Sequence, residues 1–192
     1  MSGEGQELDT GGTGELWVKG PNVFLGYLNN PKETRDALTP DGYFKTGDVG
    51  YRDVAGNFFI TDRVKEMIKY KGFQIAPAEL EGVVAAHPKV ADVAVIGLYI
   101  EDLVSEVPRA YVVPAQGFED CEGLEKEIAD WVEGKVANYK RMRGGIKLVK
   151  SVPKSASGKI LRRVMRISAQ EEEDTKAKLV EKYKVEGVGM QA

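Results

Sequence analysis

Residues 90–99 form an almost wholly apolar run, which constrains the fold more than any other segment of the 192-residue chain. A strand with one face in water alternates apolar and polar side chains, so an unbroken apolar run predicts a strand covered on both faces. We therefore expect residues 90–99 to be the central strand of a small sheet. The longest apolar-rich stretch, 93–100, is far shorter than the roughly 20 residues of a membrane-spanning helix.

The patterns that flank this run indicate an α+β domain. Apolar residues at helical spacing after Pro77 predict a helix, which His87-Pro88 ends. The other predicted elements are an amphipathic helix over 124–136, a helix after Gly158, and strands at 109–113 and 146–149. We expect a small mixed sheet with these helices packed on it.

The N-terminal part differs, because turn signals alternate there with short runs of β-type residues. Asp41-Gly42 and Ala55-Gly56-Asn57 are such turns, and residues 43–76 therefore predict short antiparallel strands. Asn30 and Pro31 predict the start of one short helix. We expect a β-rich piece over 1–62, a compact domain over 63–168 and a charged tail over 169–192.

Composition excludes several classes of function. Hydrophobic residues make up 42% of the chain, which is enough for a core, and the formal net charge of −3 predicts no general affinity for nucleic acid. The one histidine and the one cysteine cannot form a metal cluster or an internal disulfide. Residues 135–166 contain eleven basic and no acidic side chains. Folding could gather them into a field for a polyphosphate, or they could form a solvated face.

No targeting signal is evident in either terminal sequence. The first fifteen residues lack a basic start and an apolar core, so we expect no secretory signal. Met190-Gln191-Ala192 is not a Ser-Lys-Leu-type peroxisomal signal. We expect an intracellular protein, cytoplasmic or peroxisomal, with no membrane span.

Three motifs occur in an order that one superfamily shares. They are Tyr43-Phe44-Lys45-Thr46-Gly47-Asp48, the stretch 62–81, and Pro153-Lys154-Ser155-Ala156-Ser157-Gly158-Lys159-Ile160-Leu161-Arg162-Arg163. With residues 14–20 and Gly26-Tyr27, they resemble the acyl-adenylate-forming (AMP-binding) superfamily over about residues 11–168. The stretch 68–81 is similar to the branch of 4-coumarate–CoA ligases, acyl-CoA synthetases and firefly luciferase. Several motifs in the right order are far more specific than one pattern match.

The resemblance implies an ATP-dependent acid–CoA ligase. In that reaction a carboxylate attacks the α-phosphate of ATP to give an acyl-adenylate and pyrophosphate, and the thiol of coenzyme A then displaces AMP. It implies ATP/AMP and coenzyme A as cofactors, Mg²⁺ through ATP chemistry only, and a carboxylic acid as substrate. The family's large N-terminal domain, with its phosphate loop and acid pocket, is missing except for a remnant over 1–62. The chain is therefore expected to be incompetent alone and to need a separate or missing large domain.

The resemblance also implies roles for residues of the adenylate site. Lys159 would stabilise the charge that develops between the carboxylate and the α-phosphate, which a lysine does well. Asp48 would accept hydrogen bonds from the ribose hydroxyls, and Arg63 would lie on the ribose and phosphate side. Lys65 would be the hinge between two domain poses that serve the two half-reactions.

A second set of residues is implied in thioester formation. Lys69 would act in that pose, and Lys71, Gly72 and Gln74 would line the coenzyme A tunnel. Exposed strand positions are the alternative for Lys71 and Gln74. The family more often has glycine where this chain has Ser105.

Two other functions stay open from sequence. One is a non-catalytic module that binds nucleotide or coenzyme A, or that complements a separate large domain. The other is a luciferase-like oxygenase, because substrate choice is set by the pocket that this chain lacks. A reading frame that extended upstream into a phosphate loop would disfavour the module.

Overall fold

The computed structural model describes residues 1–2, 5–119 and 121–185. It divides into two compact units, Met1–Met67 and a second unit that begins at Ile68. Within the described ranges, no helix combines the length and the apolarity that crossing a membrane would require. Met190-Gln191-Ala192, considered above as a targeting signal, lies outside the described residues.

The first unit is built on a three-stranded antiparallel sheet. Its strands, in the spatial order β1-β2-β3, are β1 (Gly14–Val18), β2 (Phe44–Arg52) and β3 (Phe58–Arg63). Helix α1 spans Pro31–Ala37, and the side-chain oxygen of Asn30 accepts a hydrogen bond from the Glu33 N–H at 3.2 Å. The predicted helix start is confirmed, and so are the antiparallel strands in this unit.

The second unit combines a hairpin, a three-stranded sheet and three helices. The strands are β4 (Ile68–Tyr70), β5 (Phe73–Ile75), β6 (Val90–Ile100), β7 (Ser105–Pro114) and β8 (Ile146–Leu148); the helices are α2 (Pro77–Ala85), α3 (Leu124–Glu133) and α4 (Arg162–Val185). The hairpin pairs β4 with β5, and the sheet has the order β6-β7-β8. Because β6–β7 is antiparallel and β7–β8 is parallel, the sheet is mixed, and the expected α+β class is confirmed.

The apolar run 90–99 forms β6, but its predicted central place in the sheet is wrong. β7 is the middle strand, and β6 lies at an edge. Residues 93–98 are nevertheless all buried, because α2 and α4 both pack against β6. A run of consecutive buried residues shows that both faces of a strand are covered. Helices can cover both faces of an edge strand as well as those of a central one.

One apolar core joins every helix of the second unit to its strands. Its fully buried side chains include Ile68, Ile75, Leu80, Val84, Val95, Ile96, Val107, Val112, Leu124, Ile128 and Val132. The apolar stripe predicted over 124–136 supplies three of them from α3. The helix ends at Glu133, so Val136 packs from beyond it.

Helix α4 continues from Arg162 into the charged segment expected to begin at residue 169. Arg109 of β7 donates to Gly144 O through Nε at 2.7 Å and pairs through Nη2 with Glu173 Oε1 at 2.7 Å. Lys147 of β8 pairs with Glu172 at 2.6 Å. The first turns of the charged segment are therefore held against the sheet by ion pairs.

Acidic residues elsewhere in the second unit neutralise much of the basic run 135–166. At least five of its eleven basic side chains form ion pairs: Lys140–Glu79, Arg141–Glu133, Lys147–Glu172, Lys154–Asp92 and Arg162–Glu81. A field for a polyphosphate, one of the two alternatives above, is therefore broken up by acidic partners that lie outside the run.

Glu173 should make the stability of the second unit depend on pH. Its hydrogen bond from Arg109, and next that from Lys176, lower the pKa of the carboxyl. Because the folded pKa is lower than the unfolded value of about 4.3, the stabilisation is full above that value and is lost as pH falls through the folded pKa. Glu173→Gln should lower the free energy of unfolding by about 1–2 kcal/mol at pH 7, and the difference should vanish in acid.

Asp130→Asn is the matched control for this measurement. Asp130 pairs with Lys126 through side chains that are 62% and 80% exposed, so its loss should cost well below about 1 kcal/mol. Urea unfolding at several pH values measures both variants. Equal losses for the two variants at pH 7 would contradict the prediction.

Candidate functional site

Asp48 and Arg63 lie side by side on the sheet of the first unit. They are cross-strand partners of β2 and β3, and Arg63 Nε lies 3.0 Å from Asp48 Oδ1. The side chains are 31% and 61% exposed, so both can reach a ligand. The structure therefore brings together the two residues implied at the ribose, as a carboxylate acceptor beside a guanidinium donor.

The irregularity in β2 just before Asp48, where the register with β1 shifts, is fixed by two side chains. Gly47 has φ = 74°, and its N–H donates to Glu15 Oε1 at 3.0 Å. The Asp48 N–H donates to Thr46 Oγ1 at 3.0 Å. Because φ in this range strains other residues, glycine at position 47 is a conformational requirement.

Lys65 lies in the turn that follows β3. The Arg63 carbonyl accepts hydrogen bonds from the Glu66 N–H at 2.9 Å and the Met67 N–H at 3.2 Å. The Lys65 side chain is exposed, and the first compact unit ends two residues later. Lys65 therefore lies in a local backbone turn at the end of the first unit.

Four of the implied site residues share the β4–β5 hairpin. Lys69 and Gln74 are register partners, and Lys71 and Gly72 form the two-residue turn with φ of 44° and 86°. Two positive φ values are typical of a type I′ turn. All four residues are exposed, while Ile68 and its partner Ile75 anchor the hairpin in the core.

Aromatic rings and cations surround the hairpin. Phe73 of β5 is half-exposed and stacks on Tyr139, with ring centroids 4.3 Å apart and planes 14° apart. Lys71 and Arg143 lie 5.7 and 5.4 Å from the centroid of the Tyr70 ring. Stacking surface beside positive charge suits a ligand with an aromatic base and phosphates.

Lys159 lies on a separate loop that precedes α4. The loop is closed by the bridge between Lys154 and Ile160, and Lys154 pairs with Asp92 at 2.6 Å. Ser155 Oγ accepts a hydrogen bond from the Lys159 N–H at 3.1 Å, and Gly158 has φ = 80°. The backbone of Lys159 is thus fixed while its side chain is exposed.

Glu81 and Arg162 support this loop, and sequence reasoning assigned no role to either. Arg162 Nη2 donates to both Glu81 carboxylate oxygens at 2.8 and 2.7 Å, and Glu81 Oε1 also accepts from the Val95 N–H at 2.8 Å. Both side chains are only 14% exposed. Both residues lie within the motifs quoted above, Glu81 at the end of the stretch 62–81 and Arg162 three residues after Lys159, and this was the available signal.

The described residues do not supply a metal centre. Among them, no three His, Cys, Asp or Glu side chains are grouped so that they could hold a metal ion. Mg²⁺ therefore stays implied by ATP chemistry only, and no residue is assigned to it. A cavity of about 650 Å³ lies in the first unit and is lined by Leu16, Trp17 and Tyr51, among others, but by none of the implied site residues.

Comparison with protein families and curated proteins shows that this chain is similar to the C-terminal part of AMP-binding enzymes. Residues 79–159 match the AMP-binding enzyme C-terminal domain. The chain is 54% identical over 160 residues to probable 4-coumarate–CoA ligase 2 of Dictyostelium discoideum, across 83% of this chain and 28% of that protein. It is 48% identical over 153 residues to luciferin 4-monooxygenase of Luciola mingrelica, across 80% of this chain and 27% of that protein. The chain thus spans less than a third of the length of either.

Solved structures agree with this likeness. ATP-bound MatB from Rhodopseudomonas palustris has a TM-score of 0.80 at 33% identity, over 88% of this chain and 32% of that one. Anthranilate–CoA ligase AuaEII, in complex with anthranoyl-AMP, has a TM-score of 0.78 at 29% identity, over 90% of this chain and 33% of that one. The resemblance deduced from the motifs is confirmed.

Proposed function

Because this chain contains the C-terminal domain of AMP-binding, acyl-adenylate-forming enzymes, we propose that it is the C-terminal part of an ATP-dependent acid–CoA ligase. The observation that carries the proposal is the presence of two separately supported lysines in one unit. Lys69 lies on a hairpin held in the core, and Lys159 lies on a loop held by ion pairs. Each half-reaction would use one of them.

In the first half-reaction, Lys159 would stabilise adenylation. A carboxylate oxygen attacks the α-phosphorus of ATP, the bond to pyrophosphate breaks, and negative charge builds on the phosphoryl oxygens. An ammonium group placed there by a fixed backbone stabilises that charge without reorganising. Asp48 would accept hydrogen bonds from the ribose, and Arg63, 3.0 Å away, would keep this carboxylate oriented.

In the second half-reaction, the hairpin would position coenzyme A. The thiol sulfur attacks the acyl carbon, the thiol proton is released to water, and the bond from the acyl carbon to the phosphate oxygen breaks, so that AMP leaves as a phosphate anion. Lys69 would lie on the adenylate side of this pose, and Lys71, Gly72 and Gln74 would line the thiol's path. The Phe73–Tyr139 stack with nearby cations supports a nucleotide-bearing thiol, since a base can stack and phosphates can pair there.

Switching between the poses would take place at Lys65, near the expected boundary at Asp62-Arg63. The exposed turn there and the end of the first compact unit at Met67 support this hinge. Hinges of this kind are a few residues that absorb backbone rotation.

A large domain that carries the acid pocket would cover the first unit. Exposed apolar side chains of that unit include Leu25, Leu28, Val54, Phe58 and Ile60. Groups of this kind usually mark a surface that another protein part covers. The relative from D. discoideum is about three and a half times as long as the region it shares with this chain, which supports the same view. An intracellular location suits a reaction that consumes ATP and coenzyme A.

The test compares the 192-residue chain with a fusion. In the fusion, the part of the D. discoideum relative that precedes the matched region is joined ahead of this chain. The chain alone should give no ATP–pyrophosphate exchange with 4-coumarate, because the acid pocket is expected in the part of the relatives that this chain does not match. The fusion should give both exchange and acyl-CoA formation.

Two outcomes would contradict the proposed function. Exchange by the pure chain, with any carboxylic acid, would mean that the 192 residues contain a complete adenylation site. A folded fusion without either half-reaction would favour the non-catalytic module. The unaltered D. discoideum protein is the positive control for both assays.

A further inference from the structure

The turn of the β4–β5 hairpin has an unusual backbone conformation. Lys71, which is not a glycine, has φ = 44°, in the left-handed region that L-residues seldom occupy. Strands of three residues each make a hairpin that is marginal in isolation. Contacts from outside the hairpin must therefore stabilise the turn conformation.

Ser105, the first residue of β7, provides two of those contacts. Its hydroxyl accepts a hydrogen bond from the Lys71 N–H at 2.8 Å and donates to the Lys69 carbonyl at 3.1 Å. The side chain is 6% exposed, so both bonds are shielded from water. One buried hydroxyl thus fixes the backbone on both sides of Tyr70. A glycine at position 105 would have no side chain with which to do this.

Glu106 provides a third contact on the same edge of β4. Its Oε2 accepts a hydrogen bond from the Lys69 N–H at 2.8 Å. The carboxylate fits there because residue 97 of β6 is a glycine: a Cβ at that position would lie 2.9 Å from the same oxygen. Gly97, Ser105 and Glu106 therefore act together, two by bonding and one by leaving space.

We propose that Ser105 is a positioning residue for thioester formation, with Glu106 in support. The proposal rests on the proposed function, in which the hairpin presents Lys69 and lines the path of the thiol. Small displacements of positioning groups lower rates steeply, so the hairpin must be held before the thiol arrives. The two side-chain bonds of Ser105 go to the hairpin, whereas contacts from α2 and β6 support the loop that carries Lys159. Its effect should be confined to the second half-reaction.

The first test measures, in the 192-residue chain, how firmly Ser105 and Glu106 hold the backbone of the hairpin. Amide hydrogen exchange, followed by NMR, should become at least tenfold faster at Lys71 in Ser105→Ala. Gly97→Ala should instead accelerate exchange at Lys69, because it displaces the Glu106 carboxylate. Core amides such as that of Ile96 should be unchanged, which shows that both variants fold. Unchanged exchange at Lys71 in a folded Ser105→Ala variant would overturn the proposal.

The second test measures the two half-reactions in the fusion described above. Ser105→Ala should slow acyl-CoA formation from supplied 4-coumaroyl-adenylate by about tenfold or more, with ATP–pyrophosphate exchange within about twofold of the unaltered fusion. Ser151→Ala, a change at an exposed serine, should alter neither rate. An equal fall in both half-reactions would overturn the positioning role. If the unaltered fusion lacked both half-reactions, the proposed function would fall and this role with it, whereas failure of Ser105→Ala alone would leave the proposed function standing.

Discussion

Replacing Lys159 with alanine in the fusion should lower the rate of ATP–pyrophosphate exchange by about 10²–10³-fold, the usual loss for one preorganised transition-state donor. The loop around Lys159 should survive the change, because the Ser155 hydroxyl bonds to the backbone N–H of residue 159 and not to its side chain. The variant should therefore retain its stability. Formation of acyl-CoA from supplied acyl-adenylate should be nearly normal.

Lys69→Ala is the matched variant for this measurement. It removes an exposed lysine from the hairpin and leaves the backbone bonds of residue 69 to Ser105 and Glu106 in place. It should impair thioester formation more than exchange, the reverse of Lys159→Ala. If both variants lose both half-reactions equally, the assignment of one lysine to each half-reaction is wrong.

Local sequence signals predicted the elements of the fold well where one residue type determines the outcome. Asn30 and Pro31 begin α1, Pro77 begins α2, and the positive φ of Gly72 fits the tight turn in which it lies. The signals did not predict which strand lies in the middle of the sheet, because burial of both faces of residues 90–99 has two explanations. A run of apolar residues does not distinguish a central strand from an edge strand covered by helices.

The residues of the candidate site could be predicted from the sequence, but the contacts that hold them in place could not. Family motifs named Lys69 and Lys159, whereas the contacts that hold them come from Ser105, Glu106 and Glu81, far away along the chain. Partners separated by 34 to 81 positions have no local pattern that would reveal them. The basic run 135–166 looked unneutralised in sequence because the acidic partners of its side chains all lie outside the run.

The Glu81–Arg162 pair should be one of the largest single contributions to the stability of the second unit. Glu81→Gln keeps the shape of the side chain but removes its charge, and Arg162, 14% exposed, then lies near the core beside a neutral partner. Breaking such a pair typically costs about 3–5 kcal/mol, a large part of a total of about 5–15 kcal/mol. Urea unfolding measures the loss.

Glu79→Gln is the control for this change, because it also replaces a glutamate of α2 with glutamine. Glu79 pairs with Lys140, but it is 48% exposed, so its loss should cost below about 1 kcal/mol.

The Glu81 variant has a second expected effect, because Arg162 begins α4 directly after the Lys159 loop: hydrogen exchange of the Lys159 amide should accelerate. The double variant Glu81→Gln with Arg162→Met should lose less than the sum of the single variants, as expected for two groups that stabilise each other. Equal stability of Glu81→Gln and Glu79→Gln would show that the pair is too hydrated to hold α2, β6 and α4 together.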